Sequence, residues 1–88
     1  MNRVIKTDGT ETELIPTGKK GVFTLDQLQA AVGGGYIKMV NIPKQPKMVM
    51  LVDEDGLSKG LPVNYPASGL VGRCIVGPVA VIDRRLFK

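Results

Sequence analysis

The chain has 88 residues, 43% hydrophobic and 23% charged, with a formal net charge of +4, no histidine and one cysteine. A single domain over residues 1–88 is expected, because so short a chain buries only about 60–65% of its unfolded surface and its composition is globular rather than disordered. The missing histidine removes the commonest general base and transition-metal ligand, and a lone cysteine cannot complete a zinc site.

No apolar run nears the ~18 residues of a membrane span, and VIKT near the start is strand-like rather than signal-like, so a soluble, cytoplasmic protein without membrane contact is expected. Residues 3–7 and 10–15 flank Asp8-Gly9 and read as a hairpin, because a type I′ turn needs positive φ where Asp and Gly tolerate it. TGKKG, residues 17–21, lacks the Walker spacing: Glu13 stands where its first glycine belongs and Lys20 where its hydroxyl belongs. A solvated turn is expected there, with an anion contact by Lys19 or Lys20 as the alternative.

FTLDQLQAAVGGG is the clear helix of the chain, spanning residues 24–33. Thr24 can N-cap it, Gln27 completes a T-x-x-Q capping box, and Phe23 and Leu28 can form a hydrophobic staple. Leu25, Leu28 and Val32 share the apolar face, and Gly33 supplies a left-handed terminating residue. Glycines 33 to 35 close a helix and open a strand, the reverse of a dinucleotide-binding turn, so they read as cap and turn.

YIKMVNI (36–42) and KMVMLVDED (47–55) read as consecutive strands joined by PKQP, the second one buried on both faces. Met39, Met48 and Met50 are expected to fill core space. RCIVG reads as a buried strand that packs Cys74 inside, and VAVID as the last strand, with Gly77-Pro78 turning between them. Arg84, Arg85 and Lys88 then make a solvated basic tail.

DEDG, starting at Asp53, is expected to be a turn with solvated acids. Leu57, Ser58 and Asn64 stand where a calcium loop needs an acid or asparagine, a glycine and a glutamate. LPVNYPASG, residues 61–69, is too rich in hydrogen-bonding side chains to serve as turn alone, and long loops of this type are often functional. The expected architecture is α+β: one packed helix against a small mixed or antiparallel sheet of five to six strands.

Three blocks in order, LDQLQAAVGGGYIKMV, MVMLVDEDGLSKGLPVN and IVGPVAVI, resemble a family of small uncharacterised domains from bacteriophages, plasmids and bacteria, domain of unknown function three thousand eight hundred forty-six. Matching positions are Leu25, Leu28, Gln29, Val32, Gly33, Tyr36 and Ile37, then Asp53, Glu54, Gly56, Leu61, Pro62 and Asn64, then Ile75, Gly77 and Ile82. The chain carries GGGYI where the family has GGYI, which lengthens that turn. The resemblance implies a compact α+β fold of mobile-element origin, at home in a host bacterial cytoplasm, and it implies no reaction.

Nothing in the sequence activates Ser58, Tyr65 or Ser68 as a nucleophile, so neither catalysis nor a metal or cofactor is expected. The expectation is a non-enzymatic accessory binding protein. Its ligand site is placed on Asn64, Tyr65 and Ser68, with Arg73 and Lys59 supplying positive charge. The ligand class is a small anion such as a cyclic nucleotide or an ADP-ribose derivative, whose sequestration by a phage protein would be counter-defence against an immune signal. One alternative is a nucleic-acid-binding module using Arg73, Arg84 and Arg85, disfavoured by 5% aromatic content and the lack of a basic helix. Another is an inhibitor that docks on a host protein through an edge strand or a methionine surface. A homo-oligomer is expected, since pairing enlarges the core of a short chain.

Overall fold

A computed structural model describes residues 1–87, so Lys88 of the expected basic tail lies outside it. The N-terminal hairpin pairs β1 (Arg3–Ile5) with β2 (Glu11–Glu13) in antiparallel register. Its turn differs from the expected type I′: only Gly9 has positive φ, at 91°. The Gly9 amide donates to the Lys6 carbonyl at 3.0 Å and the Lys6 amide to the Thr10 carbonyl at 2.9 Å, a type I turn closed by a glycine bulge. Asp8 prefers this geometry because its carboxylate accepts from the Thr10 hydroxyl at 2.7 Å and the Thr10 amide at 2.9 Å. Those bonds hold the Asp8 carboxyl below its usual pKa range.

TGKKG becomes a 3-10 turn over Lys19–Gly21 that leads into α1 (Leu25–Ala31). Thr24 caps α1 as expected, its hydroxyl accepting from the Gln27 amide at 3.1 Å. Gln27, however, does not close the capping box. Its side chain reaches instead to the preceding segment, donating to the Ile15 carbonyl and accepting from the Thr17 amide and hydroxyl. The helix ends in a Schellman motif, with Gly34 donating to Gln29 at 2.7 Å and Gly33 to Ala30 at 3.1 Å, both glycines at positive φ.

β3 (Ile37–Asn41) and β4 (Met48–Asp53) form the second hairpin, and β5 (Val79–Asp83) enters between β1 and β4. The result is a five-stranded, wholly antiparallel sheet in the order β2-β1-β5-β4-β3. Between β4 and β5 the chain makes a second helix, α2 (Tyr65–Val71), where a loop was expected. Asn64 caps it, Pro66 sits in its first turn, and Gly72 ends it at φ 74°.

The two helices cover opposite faces of the sheet, and this explains the continuous apolar run of β4. Val49 and Leu51 join Ala80, Ile82, Leu28, Val32 and Phe23 on the α1 face. Met50 and Val52 join Val79, Val81, Val40, Ile5 and Ala67 on the α2 face. Each side of the sheet therefore has its own core.

Several side chains fall elsewhere than expected. Leu25 is 57% exposed, because Phe23, only 2% exposed, already fills the core at that end of α1. Met39 is 45% exposed on an edge strand, while Met50 is fully buried. RCIVG is not a strand: Val76 makes a single bridge to Val63, and Cys74 is exposed because it lies in the connection just beyond the α2 C-cap.

Candidate functional site

The first acid of DEDG is not solvated. Asp53 ends β4 with its side chain only 2% exposed, and its carboxylate accepts from Lys59 Nζ at 2.7 Å and from the Asp55 amide at 2.9 Å. The Lys59 ammonium, with help from that amide, holds the Asp53 carboxyl below its usual pKa range despite the cost of burial. Gly35 packs directly on this pair. A Cβ added there would lie 2.8 Å from both carboxylate oxygens and 2.7 Å from Lys59 Nζ. The third glycine of GGG is therefore a close-approach position, whereas the first two form the helix cap.

This arrangement makes Lys59 a structural partner of a buried acid. Lys59→Met is expected to cost about 1–2 kcal/mol at neutral pH, since the lost charged hydrogen bond is partly solvated on the lysine side. Denaturant titration of both proteins measures it. The Asp53 pKa is depressed on folding, so the stabilisation is complete above the unfolded carboxylate range and fades as pH falls through the depressed folded value. The two proteins should therefore converge in acid, and a gap that stays constant down to that range would refute the pairing.

Asn64 and Ser68 are likewise committed to the fold. Asn64 is completely buried: its amide nitrogen donates to the Ile5 carbonyl at 3.0 Å and the Gly77 carbonyl at 2.9 Å, and its oxygen accepts from Ala67 at 3.1 Å. Ser68 Oγ donates to the Asn64 carbonyl at 2.7 Å and accepts from the Ile75 amide at 2.8 Å. Tyr65 is 76% exposed at the first position of α2, whereas Arg73 lies past its other end. Seven helical residues, at about 1.5 Å each, keep those two apart. The five expected site residues thus do not converge on one pocket.

Arg73 does reach a cleft of about 290 Å³, between the β3–β4 end of the sheet and the connection that follows α2. Val52, Ile75 and Val76 make its apolar floor, and Lys38, Arg73, Glu54 and Cys74 stand around it. Lys38 arrives there by strand alternation, since it pairs with Val52 and points to the α2 face. Among the described residues neither Lys38 nor Arg73 makes an ion pair. The cleft offers two cations without an ion pair, two carboxylates, of which Asp53 is already paired with Lys59 and Glu54 is not, and an apolar lining. Lys38 has no sequence signal, because its place on this cleft comes from strand alternation together with the packing of the segment after α2.

The other arginines are engaged within the chain. The Arg84 guanidinium donates to the Pro46 carbonyl at 3.2 Å and to Asn41 Oδ1 at 2.9 Å, clamping the β3–β4 turn. Arg85 pairs with Asp83 at 2.9 Å, an interaction that draws the Asp83 pKa down to about 2.

A family model described as a domain of unknown function, DUF3846, matches residues 1–85. The chain belongs to that family. The DUF3846 match spans all five strands and both helices, and so takes in the N-terminal hairpin that the recognisable blocks did not reach. No curated protein and no solved structure matches the chain. No helix among the described residues is long and apolar enough to cross a membrane.

Proposed function

We propose that this DUF3846 chain is a non-enzymatic binding module for a small, nucleotide-derived anion, held in the cleft between Lys38 and Arg73. The observation that carries the reading is the juxtaposition of two unpaired cations with the Val52, Ile75 and Val76 floor. A phosphate would sit between the cations, a flat base would cover the apolar floor, and Glu54 would take a ring N–H or a ribose hydroxyl. A volume of about 290 Å³ lies at the small end of ligand sites, so one cleft suits a mononucleotide-sized group. Sequestration of an immune signal by a phage-encoded protein is the narrower form of this reading, and it draws on the family resemblance alone.

The test is a thermal-shift and calorimetric screen of mononucleotides, cyclic dinucleotides and cyclic ADP-ribose isomers. One ligand class should raise the melting temperature, and Lys38→Glu or Arg73→Glu should each weaken its binding about 10- to 100-fold, as expected for losing a charged hydrogen bond. Lys44→Glu, outside the cleft, should leave affinity nearly unchanged. Recovery of the ligand intact after denaturation supports binding, and recovery of cleaved product would replace the reading with an enzymatic one. No shift with any of these anions would remove it.

A further inference from the structure

The two edges of the sheet are finished differently. β2 closes one side with three exposed residues, Glu11, Thr12 and Glu13, and short, charged strands discourage further pairing. β3 forms the other side with five residues and a single charge, its Met39 45% exposed and the flanking Tyr36 70% exposed. Lys38 is the one charged guard on that edge, and it lies on the α2 face only.

The register fixes where its backbone groups point. The Glu54 amide donates to the Tyr36 carbonyl at 2.9 Å, which makes Ile37 and Asp53 a pair without mutual hydrogen bonds. By the alternation of an antiparallel ladder, Lys38 and Val40 then turn their N–H and C=O groups to β4. Ile37, Met39 and Asn41 turn theirs to the open side.

We propose that β3 pairs antiparallel with β3 of a second copy of this chain, centred on Met39, so that the two five-stranded sheets become one continuous sheet. In this register Met39 faces its own counterpart and Ile37 faces Asn41 of the second copy, so every outward-pointing N–H and C=O of the strand finds a partner. Lys38 faces Val40 of the second copy, which leaves the two ammonium groups on a diagonal. Centring the pair on Lys38 would instead set them directly opposite, where like charges destabilise. The same pairing brings the two exposed Met39 side chains into contact on the α1 face. This self-complementarity selects a second copy over a foreign strand. Lys38 lies both in the pairing strand and beside the ligand cleft, but Met39 is on the opposite face of the sheet, so substitutions at Met39 test the pairing without altering the cleft.

Five residues from each copy make a small interface, below about 1,200 Å², so the dimer should be weak and concentration-dependent. Sedimentation of the full chain from low micromolar to millimolar concentration should show a monomer–dimer equilibrium. Met39→Lys and Met39→Glu should each weaken association roughly tenfold or more, while both variants melt close to the parent because the side chain is exposed. Mixed in equal amounts they should dimerise again, since a residue on the two-fold axis meets its counterpart and Lys then faces Glu. A wild-type chain that stays monomeric throughout overturns the proposal, as does a Met39→Lys protein that associates as tightly as the parent. A mixture no better associated than either variant alone overturns it too.

Discussion

Asn64→Asp is expected to remove about 3–6 kcal/mol of stability at neutral pH, enough to unfold much of a domain whose total is typically about 5–15 kcal/mol. The replacement keeps the oxygen that caps α2 and loses the nitrogen that donates to the Ile5 and Gly77 carbonyls. Two buried acceptors then face a buried carboxylate, and burial beside oxygen raises the pKa of that carboxyl. A raised folded pKa means that the deficit shrinks as pH falls and the protonated acid regains one donor. Asn64→Ala loses the cap as well but adds no charge, so at neutral pH it should be the milder of the two. Chemical denaturation of both variants across pH reads these orderings directly. An Asn64→Asp protein that melts within a few degrees of the parent would show that the amide is not buried as described.

Leu28→Ala is expected to cost about 2–5 kcal/mol, the usual range for emptying a fully buried leucine site. Leu28 is inaccessible to solvent and packs with Val32, Val49, Leu51 and Ile82 in the core beneath α1. Leu25→Ala, one turn earlier on the same helical stripe, should change stability by less than about 0.5 kcal/mol because that side chain faces water. The pair separates the helical stripe from the surface it contacts. Equal losses at the two positions would mean that α1 sits rotated or shifted from its observed place.

Much of the scaffold was legible because local chemistry and tertiary packing agreed. The Thr24 cap, the Gly33 terminator and the uninterrupted apolar run of β4 each carry their signal within a few residues. From sequence α2 looks like a loop because Pro66 and Gly69 lower helix propensity in a segment of only seven residues. Its true signature was the frame: an asparagine cap, a proline in the first turn and a glycine past the last. The polar richness that marked LPVNYPASG as a site reflects internal bonding by Asn64 and Ser68.

The remaining misreadings share one cause, which is that a short stretch of sequence does not show how the folded chain around it is placed. Asp53 looked like a turn acid, yet Lys59 and the close approach of Gly35 enclose it. Cys74 sat in an apolar run, yet the cap at Gly72 turns it outward. Lys38 carries no local signal: strand alternation turns it to the α2 face, and the path of the connection after α2 puts Arg73 on the same cleft.

The position of β5 has a further consequence, for the order in which the chain acquires its shape. The strand at the middle of the sheet is the last one synthesised, and the first strand pairs with it, as Ile5 does with Val79. The Asp83 amide even donates to the Asn2 side chain, across a separation of 81 residues. The β1–β2 hairpin is made before β5 and must therefore wait, its Ile5 uncovered, until the residues up to Asp83 have been synthesised. Closing so long a loop before any reward makes docking of that hairpin a late and slow step. In this fold a hairpin made early is among the last elements to find its place.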